Sequence, residues 1–147
     1  LLFNNMIGLE KSINIWDNST SNYDSYASEF GLNGQTQFLA PGASFWIRAF
    51  DAPTAQINEE MHSSSGAAES NSQNSNSQVS YMRWSLESDG SYDEIIIAVD
   101  DSSSTLFDNL LDANNWKGNQ KCDLMSAPDS HNAASPFYSI QFLPAFV

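Results

Sequence analysis

The run Ile95-Ile96-Ile97-Ala98-Val99 constrains the fold more than any other stretch of the chain. It is the most apolar and most β-branched run present. Side chains branched at Cβ lose rotamer freedom in a helix and pack well on a pleated surface, so the run predicts a strand. With no polar face to offer water, it predicts a central strand covered on both sides. Immediately upstream, Asp89-Gly90 is a hairpin dipeptide. Before it, Val79 to Leu86 alternates, with Met82, Trp84 and Leu86 on one face and Tyr81, Arg83 and Ser85 on the other. Two adjoining strands joined by a tight turn follow, with Trp84 expected to fill the core beside Met82 and Leu86.

Gln35 to Phe50 carries the clearest strand-entry signal. Pro41 fixes its own φ and biases Ala40 towards extended geometry, and Gly42 is free to take the positive φ of a type II turn. Beyond the turn, Phe45, Ile47 and Ala49 alternate with Trp46, Arg48 and Phe50. This predicts a half-buried strand broken by Asp51-Ala52-Pro53. Because its second face is not fully polar, Trp46 and Phe50 are expected to be covered by a loop or offered to a partner.

Elsewhere, Ser12 to Trp16 and Tyr23 to Tyr26 flank the turn formers Asp17 to Asn22, which predicts a β-hairpin with Ile13 and Ile15 on a shared face. Tyr138, Ile140 and Phe142 alternate with Ser139 and Gln141 in a last strand that stops at Pro144. Leu106 to Ala113 reads as a helical turn or an irregular loop that plugs one end of the sheet with Phe107 and Leu110. Residues 63–78 form a polar, low-complexity run with too little apolar surface to order itself, so a mobile Ser/Asn-rich loop inserted between two strands is expected.

The chain has 147 residues, the size of one ordinary domain, and 41% of them are hydrophobic, enough to bury a core without staples. There are 18 acidic and 5 basic residues, a formal net charge of −13, which argues against nucleic acid and anionic membrane surfaces as partners. A single cysteine, Cys122, excludes an intrachain disulfide. No apolar run approaches the roughly 18 residues of a membrane-inserting span. The chain starts on Leu1-Leu2-Phe3 without a methionine, so a fragment or processed product of a longer polypeptide is expected.

The order of motifs resembles the β-sandwich modules of large Bacteroidota cell-surface proteins that precede a type IX secretion sorting domain. Four stretches carry the resemblance: Ile15 to Tyr26, similar to a Trp-Asp hairpin ending in a Tyr pair; Phe38 to Ala49, similar to the family's "IAPGQGFWVKA" strand but with Ala43-Ser44 in place of Gln-Gly; Asp93 to Ala98 together with Phe107 to Ala113; and Tyr138 to Pro144. They span most of the chain except the Ser/Asn loop. These 147 residues include neither the family's opening Gly-Asn-Pro-Tyr-Pro segment nor a sorting domain. By the resemblance, the Phe38 to Ala49 stretch looks like the family's core strand, entering opposite Ile95 to Val99. The resemblance implies an exported, surface-attached or released protein with a structural or adhesive role and no general catalytic motif.

The chemistry-bearing residues admit few sites. Carboxylates cluster between Asp89 and Asp112, and Asp89, Asp93, Asp100 and Asp101 are the candidate ligands for Ca²⁺, which accepts irregular oxygen-rich loops. Their spacing matches no complete calcium loop, and solvated or capping carboxylates are the ordinary alternative. His62, His131 and Cys122 sit in no nucleophile, base or zinc pattern, so no enzymatic activity is expected, and no cofactor other than Ca²⁺. Exposed Trp or Tyr on a sandwich can stack on sugar rings, whereas buried ones are large core fillers. Trp46, Phe50 and Trp116 are the candidates for a ligand or partner surface. The expectation is therefore all-β: an antiparallel β-sandwich, jelly-roll-like or Ig-like, with long polar loops. Its expected role is that of a non-catalytic extracellular module of cell-surface structure or adhesion, bound to other surface modules or to copies of itself through open sheet edges. The alternative is a carbohydrate-binding module that takes glycans.

Overall fold

In the computed structural model, residues 6–27, 30–56, 79–118, 123–127 and 137–145 are described. The expected polar loop at 63–78, together with His62, Cys122 and His131, lies outside them. Among the described residues nine strands follow one another: β1 (Met6–Leu9), β2 (Ser12–Asp17), β3 (Asn22–Ala27), β4 (Phe30–Gly31), β5 (Ala49–Ala55), β6 (Ser80–Ser88), β7 (Ser91–Val99), β8 (Ala113–Asn114) and β9 (Tyr138–Leu143). Among the described residues there is no helix, and so none long and apolar enough to cross a membrane. The fold is all-β and sandwich-like. One layer contains β2-β3-β4, the other β6-β7-β9-β8, and β1-β5 forms a short ribbon. β3 packs on β8 and β9, and β2 on β8.

Local chemistry accounts for the hairpins. β2 and β3 pair antiparallel from Ser12↔Ala27 to Asp17↔Asn22. In the intervening turn, Asp17 Oδ1 accepts the Ser19 amide at 2.8 Å and its Oδ2 accepts Thr20 Oγ1 at 2.9 Å. β6 and β7 pair from Ser80↔Val99 to Ser88↔Ser91, and Asp89 and Gly90 take φ of 50° and 75°, the type I′ geometry that matches the strand twist. The Ala40-Pro41-Gly42-Ala43 turn also forms as expected, with Gly42 at φ 82° and the Ala43 amide donating to the Ala40 carbonyl at 3.0 Å.

β7 is central, between β6 and β9. Its pairing with β9 is parallel, from Ile96↔Ile140 to Val99↔Leu143, whereas every other strand pairing is antiparallel. This departs from a purely antiparallel sandwich. Ile96, Ala98, Ile140, Phe142 and Ala113 meet Ala27, Phe30 and Leu32 of the facing layer to make the core. β7 is not covered evenly: Ile97 is half-buried and Val99 is 36% exposed.

Four further expectations change. The segment after Gly42 does not enter opposite β7, because both of that strand's edges are taken by β6 and β9. Instead the Trp46 amide donates to the Asn14 carbonyl at 2.8 Å, the Asn14 amide returns the bond at 3.0 Å, and β5 continues alongside β1. Pro53 does not end that strand. It lies within β5, where Leu9↔Ala49 and Ile7↔Thr54 leave an irregular register on a strand paired to β1 alone, and an edge or bulge tolerates a missing N–H. On β6 the alternation holds but its faces are reversed. Arg83 and Tyr81 turn towards the core side, Arg83 to the buried Glu94 and to the Gly31 carbonyl, and Tyr81 edge-on to Phe30 at 5.0 Å. Met82 and Trp84, on the opposite face of the strand, are consequently 56% and 57% exposed. At the loop after β7, Leu110 is likewise exposed, and Leu111 packs against the core in its place, while Phe107 stacks on Tyr138 at 5.5 Å.

At Gly31 the backbone passes close to that of Gln35. A Cβ there would run into the backbone carbonyl of Gln35, whose own amide donates to the Leu32 carbonyl at 2.9 Å. Gly31→Ala is expected to destabilise the fold by about 2 kcal/mol, read as a lower urea midpoint at unchanged slope. An unaltered midpoint would show that the 31–35 turn relaxes freely.

Candidate functional site

Two sets of side chains stand out: an aromatic row at one end of the β2-β3 layer, and buried carboxylates between strands. The row begins on the hairpin. Trp16 opposes Tyr23, and directly opposed residues in an antiparallel pair share a face. Their rings meet edge-on at 5.0 Å and 71°. Two positions back along β2, Asn14 opposes Ser25 on one side and Trp46 on the other, so Trp46 lies on the same face. Trp116, two residues beyond β8, joins them: its ring lies 5.6 Å from Tyr23 at 68° and 6.0 Å from Trp46 at 40°. Contacts therefore run Trp16–Tyr23–Trp116–Trp46, built from four separate segments.

The row is most exposed at its Trp46 end. Trp16, Tyr23 and Trp116 are half-buried, whereas Trp46 is 55% exposed. The preceding residue anchors Trp116: Asn115 Nδ2 donates to the Leu124 carbonyl at 2.9 Å, and the Asn115 amide donates to the Phe137 carbonyl at 2.8 Å. Lys117 pairs with Asp123 at 3.2 Å. At the hairpin, Trp16 Nε1 donates to Asn18 Oδ1 at 3.0 Å. The structure thus brings together two of the three residues expected to form a ligand surface. Phe50 is 49% exposed on β5 and takes no part in the ring contacts.

The carboxylates act as ties between strands. Glu10, fully buried, accepts Asn114 Nδ2 at 2.8 and 2.9 Å and Arg48 Nη1 at 3.2 Å, so it joins the β1–β2 junction to β8 and to the Trp46–Arg48 segment. Asp112 is 1% exposed; its Oδ1 accepts the Phe142 amide of β9 and its Oδ2 the Asp108 amide, both at 2.7 Å. Asp93 accepts Asn22 Nδ2 at 3.2 Å and the Leu124 amide at 2.7 Å. Glu94 accepts Arg83, the Asn33 amide and, at 2.8 Å, the Tyr92 hydroxyl. Burial raises the pKa of Glu10 and Asp93, and pushes Asp24 and Asp112 to about 6. Burial also pushes the Tyr138 phenol up to about 12, with the nearby Asp112 charge adding to it.

The four residues proposed for Ca²⁺ are dispersed. Asp89 lies in the turn before β7, Asp93 is buried within β7, and Asp100 and Asp101 lie beyond its far end, where Asp100 accepts the Ser102 amide at 2.8 Å. β7 runs nine residues between those ends, about 30 Å of extended chain. Among the described residues no group of three His, Cys, Asp or Glu side chains gathers as a cation site. Sequence reasoning did not single out Glu10, because an isolated Glu at a strand junction carries no pattern. Trp16 and Tyr23 did have a signal, as opposed aromatics in the predicted hairpin. No protein-family model, curated protein or solved structure matches this chain.

Proposed function

We propose that the chain is a non-catalytic extracellular module of bacterial surface structure or adhesion, of the kind exported through type IX secretion, which the four sequence stretches resemble. The observation that carries this reading is the outer face of the β6–β7 pair. Met82 opposes Ile97, and Trp84 opposes Ile95. Met82, Trp84, Leu86 and Val99 are 56%, 57%, 40% and 36% exposed. Contiguous exposed apolar surface on a sheet is the usual mark of a surface that meets another protein. Its occupant is another surface module or a second copy of the chain.

Two measurements test this. Antibody to the chain should label intact, unpermeabilised cells of the source organism; labelling only after permeabilisation sinks the surface assignment. Sedimentation velocity over a wide concentration range should show association, alone or with neighbouring modules of the same surface protein, that Trp84→Ser abolishes. Because Trp84 is largely exposed, that variant is expected to unfold at an unchanged urea midpoint, so loss of association reports the surface and not the fold. Association that survives the substitution overturns the assignment of this face.

A further inference from the structure

We infer that the chain pairs with a second copy of itself through the open edge of β6, the two β6 strands lying antiparallel about a two-fold axis at Ser85. This rests on the reading of the chain as an associating surface module, and it names the partner and the register. β6 ends the sheet order β6-β7-β9-β8, and all 9 of its residues are exposed. In a two-residue hairpin the pair flanking the turn exchanges both backbone hydrogen bonds, so Ser88, Leu86, Trp84 and Met82 aim their backbone groups at β7. Glu87, Ser85 and Arg83 aim theirs at the open edge. The same parity shows on β7, where Glu94, opposite Ser85, gives its amide to Asp93 Oδ1 at 3.0 Å and not to β6. Natural edge strands are ordinarily blunted by shortness, a bulge, a proline or an inward-pointing charge. β6 runs in unbroken register with β7 from Ser80 to Ser88, contains no Pro or Gly, and has its inward-turned Arg83 neutralised by Glu94.

The residues along the edge select a second copy as the strand that fits it. With Ser85 against its own copy, position 83 meets 87 and position 84 meets 86, each twice. On the core-side face this sets Arg83 against Glu87 of the second copy. The Arg83 side chain is 39% exposed and uses Nη1 for Glu94 and Nη2 for the Gly31 carbonyl, which leaves further N–H donors, and among the described residues Glu87 pairs with no cation. On the outer face it sets Trp84, 57% exposed, against Leu86, 40% exposed, and joins the apolar patches of the two copies into one surface. Opposite charges and aromatic–aliphatic pairs facing each other across strands both stabilise such a ladder. The outward groups of Arg83, Ser85 and Glu87 complete it with about six interchain hydrogen bonds. Moving the axis to Trp84 or Leu86 loses the ion pairs, and moving it to 83 or 87 sets Arg83 on Arg83 or Glu87 on Glu87. The formal net charge of −13 on each copy opposes approach, so the pairing needs salt to screen it.

The test is sedimentation velocity of the full chain over a wide concentration range at about 0.15 M salt, where charges more than about 8 Å apart are largely screened. A monomer–dimer equilibrium is expected. Glu87→Lys should weaken it roughly tenfold or more, because the two-fold sets a cation opposite Arg83 twice. Glu87 is exposed and has no cation partner in the single chain, so this variant should keep the wild-type urea midpoint. Ser85→Pro should abolish the dimer, since it removes an outward N–H that β7 does not use and that an edge strand can lose. The register has its own readout. In a Cys122→Ser background, Ser85→Cys should oxidise with diamide to a disulfide-linked dimer, because the Cα atoms of a hydrogen-bonded antiparallel pair lie about 5.5 Å apart, within disulfide reach. Glu87→Cys in the same background should not, its two copies being about 13 Å apart along the ladder. A monomer at every concentration, association indifferent to Ser85→Pro and Glu87→Lys, or a bridge formed as readily at 87 as at 85 would overturn the inference. Association that depends on Trp84 but ignores both edge substitutions overturns the edge pairing alone and leaves the outer face as the interface. Edge-dependent dimers on a chain that antibody reaches only in permeabilised cells would support the pairing and overturn the surface reading instead.

Discussion

Asp112→Ala is expected to destabilise the fold by about 4 kcal/mol, since two charge-assisted hydrogen bonds to backbone amides are lost together and each contributes about 1.5–3 kcal/mol. Asp112 is 1% exposed and lies just before β8; its two oxygens hold the amide of Phe142 in β9 and that of Asp108 in the preceding turn. Alanine leaves both donors without a partner, with Phe142 itself 2% exposed in the core. For a chain of this length the alanine variant should melt roughly 10 °C lower. A drop of less than about 1 kcal/mol, within the range of an ordinary surface substitution, would show that Phe142 and Asp108 find other acceptors and that the tie is dispensable.

The chain is also expected to be more stable at pH 5 than at pH 7.5. Burial pushes Asp24 and Asp112 from the ordinary 3.8 to about 6 in the folded state. A group whose folded pKa lies above its unfolded value binds its proton more tightly when folded. The stabilisation is therefore fully present below pH 3.8 and is lost as pH rises through about 6. Each shift corresponds to an effect on the order of 2–3 kcal/mol between those limits. At Asp24, one hydrogen bond from Asn33 Nδ2 opposes the shift, while the Asp17 and Glu94 charges add to it; at Asp112, the Asp108 and Glu10 charges add to it. Glu10 and Asp93, raised mainly by burial, act in the same direction, and a smaller net negative charge relieves self-repulsion. Urea unfolding at the two pH values measures the difference, and Asp24→Asn should remove part of it. Equal or lower stability at pH 5 would mean that these carboxylates are more hydrated than their burial implies.

The buried carboxylates make a single point about composition. From sequence, an acidic chain suggests a solvated acidic surface, and Asp89 to Asp112 reads as a cation loop or as turn caps. Asp89 and Asp100 do lie in turns, but Asp93, Glu94 and Asp112 are buried and hold strands together, as does Glu10 far upstream. An Asp that caps a turn and one that ties two strands are the same letter. What separates them is whether an unpaired backbone amide from a distant segment arrives beside it.

The aromatic row shows the same division. Trp46 and Trp116 stand out in sequence as large rings without a settled partner, and the hairpin that carries Trp16 and Tyr23 is legible from its turn formers. Their meeting at one end of the layer is not legible, because it depends on the Trp46 segment hydrogen-bonding to Asn14. Sequence reading sent that segment to β7, where both edges turn out to be filled.

By itself, then, the sequence determined the local structure of this protein: strands where β-branched and alternating residues recur, turns at Asp17 to Asn22, Asp89-Gly90 and Pro41-Gly42, and a last strand ended by Pro144. Those features follow from rotamer, φ and period-2 restrictions that act within a few residues. Only the tertiary structure decided that β9 runs parallel to β7, that Arg83 rather than Trp84 faces inward, and that four separated aromatics form one row. Each of those outcomes is a competition among distant partners for a limited number of strand edges and buried charges. No short stretch of the chain contains both sides of that competition.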